Sequence, residues 1–202
     1  MKVGLYFGSF NPIHHGHLII ANYLVQNSTL NEIWFIISPQ NPFKNAAGLL
    51  NENHRYFLVQ LAIDGEKKLK ADKTEFTLPR PSYTVDTLTH LAEKYPKISF
   101  EIIMGSDSFQ NLKKWKNGEF IAKNYPITIY KRKGFGIDNP MQARITVSEA
   151  PMIDISSTRI RELIKNKQSI RYLVPDLVME EIERNNYYAP KKLNLTPGKP
   201  TQ

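Results

Sequence analysis

Lys2-Val3-Gly4-Leu5-Tyr6-Phe7-Gly8-Ser9-Phe10-Asn11-Pro12-Ile13-His14-His15-Gly16-His17-Leu18 is the stretch that decides the fold. Its apolar start predicts a β-strand over Lys2–Phe7, and Gly8 with Pro12 predicts a turn at the strand's end. A helix is expected next, over about Gly16–Gln26, with His14 and His17 at its first turn. A strand–turn–helix of this kind aims backbone N–H groups and the positive end of a helix at one point, which suits a phosphate. Two imidazoles at the same mouth add donors that are neutral or charged near neutral pH. A lone histidine in a turn says little. A His-x-Gly-His run behind a Gly-Ser-Phe turn is a functional pattern.

Outward from this segment, apolar runs alternate with helix-period segments. That alternation predicts an α/β fold: a single doubly wound, Rossmann-like parallel sheet with helices on both faces. Glu32–Ile37 reads as a strand buried on both faces, because Ile33 to Ile37 are all apolar. Asn51 is a fitting N-cap for a helix reaching Asp64, with Leu58, Leu61 and Ala62 as its core stripe. Leu69–Leu78 is expected to be a short strand region. Ser82-Tyr83-Thr84 opens a helix to Tyr95, which Pro96 stops. Further strands are expected at Ser99–Met104, Ile127–Arg132 and Ile145–Val147. A short helical stretch carries Leu112, Trp115 and Phe120, and helices are expected at Ser157–Lys165 and Pro175–Asn185. A single domain should span residues 1–188, and the proline-rich, basic segment 189–202 reads as a disordered tail.

Bulk properties narrow the function. A chain of 202 residues with 41% hydrophobic and 23% charged content fits one soluble globular domain. The sequence holds no cysteine, which excludes a disulfide framework, a thiol nucleophile and a thiolate metal site, and suits a cytoplasmic setting. No apolar run is long enough to span a membrane, and with Lys2 already in the first strand no signal peptide is expected. The net charge is +8; Lys191, Lys192 and Lys199 contribute three of these charges, leaving +5 for the domain. A modest surplus favours anionic ligands, nucleic acid or nucleotides alike, and its scattered distribution does not choose between them; neither nucleic acid nor membrane is expected as a partner. His14-x-x-His17 could hold zinc in isolation, yet no third ligand of suitable spacing accompanies it, so no protein-held metal is expected.

The second informative stretch is Ile155-Ser156-Ser157-Thr158-Arg159-Ile160-Arg161. Ser156 is an N-cap, Ile160, Leu163 and Ile164 form a buried stripe, and Arg159 falls in the first turn. A cation there opposes the helix dipole, which makes sense if an anion lies between it and the helix end. Arg161, two positions on, is expected at the surface.

Together the two stretches resemble the nucleotidyltransferase superfamily that carries the His-x-Gly-His signature. Three more runs resemble its bacterial nicotinate-mononucleotide adenylyltransferase branch: Pro81-Ser82-Tyr83-Thr84-Val85-Asp86-Thr87-Leu88, Gly105-Ser106-Asp107 and Leu112-x-x-Trp115. The resemblance implies transfer of AMP from ATP to nicotinate mononucleotide, giving nicotinate adenine dinucleotide and pyrophosphate in NAD biosynthesis. It places Gly8, Ser9 and Phe10 on phosphates through their backbone, His14 and His17 as catalytic groups, and Ser157 and Arg159 on the outer phosphates of ATP. Pro42-Phe43-Lys44 resembles a loop whose lysine reaches a phosphate. Thr84, Asp107, Trp115 and Lys116 are implied for the mononucleotide, with Asp107 on a ribose hydroxyl and the indole stacked on the pyridine. Arg55 has a weaker claim, as a structural or phosphate-side partner. Asn11 stands where an Asp is usual and brings no charge. Mg²⁺ is expected to arrive with ATP, and a homo-oligomer is left open. Phosphopantetheine as acceptor would fit a shorter chain without the Ser-Tyr-Thr and Leu-x-x-Trp runs; a cytidylyltransferase or a non-catalytic nucleotide sensor fits less well still.

Overall fold

A computed structural model describes residues 1–40 and 48–190. Lys44 and the segment 191–202 therefore lie outside the described residues. The elements follow in the order β1 (Lys2–Gly8), α1 (His15–Asn27), β2 (Glu32–Ile37), α2 (Glu52–Ala62), β3 (Leu69–Asp72), α3 (Thr84–Lys94), β4 (Ser99–Gly105), α4 (Ser106–Gln110), α5 (Gly118–Asn124), β5 (Ile127–Tyr130), β6 (Ile145–Val147), α6 (Ser157–Lys165) and α7 (Asp176–Arg184). All strand pairings are parallel, in the order β3-β2-β1-β4-β5-β6. Chain progression reverses direction between β1 and β4, and a doubly wound sheet opens its ligand crevice beyond the strand ends at such a reversal.

Period-two alternation explains the unbroken apolar strands. Ile33, Phe35 and Ile37 of β2 enter the core layer under α1, α2 and α7, while Trp34 and Ile36 enter the layer under α3 and α5. In β1, Val3 and Leu5 face the second layer and Tyr6 the first. Helix–sheet–helix layering thus follows from side-chain direction alone. Among the described residues, no helix is long and apolar enough to cross a membrane.

Three sequence expectations need correction. The Leu69–Leu78 strand stops at Asp72, because the Asp72 carboxylate accepts from the Thr74 amide and turns the chain into a 3₁₀ turn at Thr74–Thr77. The strand expected to reach Arg132 ends at Tyr130, and the Arg132 amide donates to the Ser106 hydroxyl instead of a ladder partner. The helical stretch around Trp115 is broken into α4, a 3₁₀ turn at Leu112–Lys114 and α5, with Asn117 in the left-handed region (φ 53°) between the last two.

Candidate active site

The carboxyl ends of β1, β4 and β5 deliver their following residues into one cavity of about 350 Å³. Gly8 has no room for a side chain: a Cβ there would lie 2.7 Å from the Phe10 ring. Phe10 itself adopts φ 43° and buries its ring against Tyr6 and Phe35. The turn is therefore shaped by a core aromatic, and Ser9 is left facing the cavity.

His14 and His17 stack with ring centroids 3.7 Å apart and planes 25° apart. Gly16 makes this possible, since a Cβ at that position would come within 3.0 Å of the His14 ring. His14 is only 3% exposed. Burial, then the neighbouring Arg132 and His15 charges, pushes its imidazole down to about 3. His14 is thus a neutral ring at physiological pH, held behind His17. One first-turn amide of α1 is already used, because His15 N donates to Leu173 O at 2.9 Å.

The opposite wall comes from the start of α6. Ser156 caps that helix by accepting from the Arg159 amide. The Ser157 hydroxyl donates to Pro12 O at 2.8 Å, and Arg161 Nη1 donates to Asn11 O at 2.8 Å. Two motifs some 145 residues apart in sequence are bolted together by these bonds. Arg161 lines the cavity, contrary to the surface position expected from its spacing. Arg159 points away, is 63% exposed as a side chain, and lies 3.7 Å from Glu162. Spacing predicts the helix but not which arginine turns inward, since the backbone carbonyl of Asn11 sets the inner face. Asn11 itself spans the floor: its side chain donates to Gly48 O and accepts from Leu50 N, both at 3.1 Å.

Sequence reasoning missed Arg132, which stands just past β5 and borders the cavity. Its Nε lies 3.7 Å from Asp107 Oδ1, and its Nη2 donates to Tyr130 OH at 3.4 Å. Burial works against the charge, but Tyr130 and Asp107 outweigh it and raise the guanidinium above its ordinary value. Only its place after a buried strand, the same logic that picked Asp107 after β4, could have flagged it. A groove of about 350 Å³ continues from Asp107 and Arg132 between Phe135 and Met152–Ser156.

Thr84, Trp115 and Lys116 do not line the cavity; they gather beside it. Thr84 is the first residue of α3. Lys116 Nζ lies 2.9 Å from Asp86 and 4.7 Å over the Tyr83 ring. Trp115 and Tyr83 pack on the same core layer as Phe7, whose residue also borders the cavity. Among the described residues no group of three His, Asp or Glu side chains is placed to hold a metal ion.

A model of the cytidylyltransferase-like family matches residues 5–163. A protein of Flavobacterium psychrophilum named "Probable nicotinate-nucleotide adenylyltransferase" is 48% identical over 191 residues, covering 93% of this chain and 99% of that one. A protein of the same name from Bacteroides fragilis is 43% identical over 182 residues, covering 90% of each. Among solved structures, the Plasmodium falciparum nicotinic acid mononucleotide adenylyltransferase complexed with NaAD superposes with a TM-score of 0.79 at 22% identity, covering 93% of this chain and 97% of that one. That likeness speaks for the fold.

Proposed function

The chain belongs to the cytidylyltransferase-like family and, within it, to the nicotinate-nucleotide adenylyltransferases; from that membership and the site geometry we propose how it transfers AMP from ATP to nicotinate mononucleotide. The phosphate of the mononucleotide attacks the α-phosphorus of ATP. A P–O bond forms there as the bond to the β-phosphate oxygen breaks, and pyrophosphate leaves. The attacking oxygen is already ionised, so no base is required. What the protein must supply is alignment and charge neutralisation for two polyanions.

Each wall has a part in this. His17, backed by the neutral ring of His14, donates to the α-phosphate as charge develops. Arg161 and the free end of α6 take the outer phosphates, with the amides of Ser9 and Phe10 on the facing wall. The Ser157 hydroxyl, already given to Pro12, serves by holding the walls together. Arg132 adds positive charge on the β5 side, and Asp107 receives a ribose hydroxyl. The groove between Phe135 and Met152 offers the adenine an apolar slot. Mononucleotide recognition falls to Thr84, Trp115 and Lys116, beside Asp107, with ring stacking on the indole. Lys44 is assigned to a phosphate by resemblance alone. The described side chains suit a Mg²⁺ ion chelated by ATP rather than one held by protein; bound there, the ion would neutralise the leaving pyrophosphate. A cysteine-free chain fits a reducing cytoplasm.

The observation that carries this reading is the pair of bonds from Ser157 and Arg161 to the Asn11–Pro12 turn, which closes histidines and arginine around one anion-sized space. Pyrophosphate release from ATP with nicotinate mononucleotide, nicotinamide mononucleotide and phosphopantetheine tests it. The acid mononucleotide should be preferred; release only with phosphopantetheine would refute the assignment.

A further inference from the structure

Arg55 and Glu75 carry ionisable side chains, are 0% and 2% exposed, and make no ion pair among the described residues; burial pushes the Glu75 carboxyl up. Burying a charge without a counter-charge is costly, so each must be held by well-placed dipoles. Among the described residues, the Arg55 guanidinium gives its hydrogen bonds to backbone carbonyls. Nε donates to Leu50 O at 2.7 Å, Nη1 to Ser9 O at 2.6 Å and Ser38 O at 2.9 Å, and Nη2 to Pro39 O at 2.9 Å. Those carbonyls belong to the glycine turn, to the exit of β2 and to the segment leading into α2. Glu75 accepts from hydroxyls. Ser82 Oγ donates to it at 2.6 Å and Thr87 Oγ1 at 2.9 Å, so it grips α3 just before its start and within its first turn. The Ser38 side chain also favours the Glu75 carboxylate, against the burial that pushes this carboxyl up.

Ser38 is therefore a joint. Its carbonyl accepts from Arg55, and its side chain acts on the Glu75 carboxylate. The chain of contacts runs from Ser9, on the phosphate side, through Arg55, Ser38 and Glu75 to Ser82 and Thr87, which flank Thr84. We propose that Arg55 and Glu75 are positioning residues that form one buried strut, fixing the distance between the ATP half and the mononucleotide half of the site. This rests on the functional reading above. A strut of this kind matters because two reactants held in line lose rate steeply when one is displaced. Hydrophobic replacements of similar volume could fill the same space, so packing alone gives no reason for charge here.

The test is steady-state kinetics with ATP and nicotinate mononucleotide on Glu75→Gln, Arg55→Lys, Ser38→Ala and the double variant Arg55→Lys/Glu75→Gln, each first shown to be folded by circular dichroism. Glu75→Gln should raise KM for the mononucleotide about tenfold and leave KM for ATP within about twofold, because only the α3 end is released. Arg55→Lys keeps the charge but loses the planar fork that reaches four carbonyls, so kcat should fall about 10²-fold. In the double variant kcat/KM for the mononucleotide should fall little further than in Arg55→Lys alone, since that change already disconnects the strut. A merely stabilising role would lower the melting temperature and leave KM of the folded protein unmoved; that result, or effects that multiply independently, overturns the proposal. Where Arg55→Lys does not fold, the cycle of Ser38→Ala with Glu75→Gln decides by the same criterion. Wild-type protein inactive with nicotinate mononucleotide overturns the functional reading and the strut together, whereas active wild type with independent effects overturns the strut alone.

Discussion

The two halves of the site are built to different standards. The phosphate half is assembled from β1, β5 and α6, with His14 almost sealed from solvent and two long-range bonds within the chain at 2.8 Å. The mononucleotide half leans on side chains in the open: the Lys116–Asp86 pair is 46% and 41% exposed. Charge stabilisation needs donors that are already in place when charge develops, and dry surroundings strengthen each of them. Recognition of a ring and a carboxylate tolerates a wetter, looser surface. The phosphate half should therefore govern kcat, and the mononucleotide half KM.

The largest effect is expected at His17. Replacement by Ala should lower kcat for pyrophosphate release by about 10²–10³-fold, the usual loss for one donor to a developing oxyanion. Near-normal turnover in a protein with native circular dichroism would remove His17 from the chemistry. Next come the two arginines of α6. Arg161→Ala should reduce kcat/KM for ATP by about 10²-fold, because it removes a charged donor and the bond to Asn11 together. Arg159→Ala should stay within about threefold, as expected for an exposed cation paired loosely with Glu162. The reverse ranking would show that the outward arginine swings in on binding.

That ranking marks where sequence reading stopped. The glycine turn, the histidines and Asp107 were legible because they follow buried strands directly, and a parallel sheet gathers such residues at one edge. The helix from Ser157 to Lys165 was legible from its cap and apolar stripe. Which of its arginines points inward was not, because Asn11 O, 150 residues away, decides it. Arg132 was missed for a related reason: its strand ends two residues earlier than the apolar run suggests, so the cation sits on the turn instead of in the ladder. Glu75 was hidden more deeply, and for Arg55, named as a structural or phosphate-side partner, the complete burial was not legible. Charged residues in a helix and a turn normally face solvent, and their burial comes from tertiary packing that no local pattern encodes.

The sealed and open halves should also respond differently to acid. The His14 pKa is about 3 in the folded chain and near its ordinary value of 6.5 when unfolded. Above 6.5 the depressed pKa has no effect; as pH falls through 6.5 towards 3, the unfolded chain takes up a proton that the folded one refuses, and stability is lost. Between pH 6 and 5, wild type should lose about 1 kcal/mol relative to His14→Asn, which lacks this ionisation. Urea melts at both pH values measure it, and parallel changes in the two proteins would show that His14 is solvated.

The smallest effect belongs to the open half. Trp115 is half-buried against the core layer under α3 and α5, which leaves part of the indole accessible to a ligand. An aromatic pair contributes about 0.5–1.5 kcal/mol beyond area, which corresponds to roughly 2–12-fold in binding. Trp115→Ala should accordingly raise KM for nicotinate mononucleotide by up to about tenfold and leave kcat at saturation within about threefold. Trp115→Phe, which keeps a ring in place, should recover most of the loss. If Trp115→Ala instead lowers kcat with an unchanged KM, the indole acts through the core layer beneath β4, and the division of labour between the two halves fails at that residue.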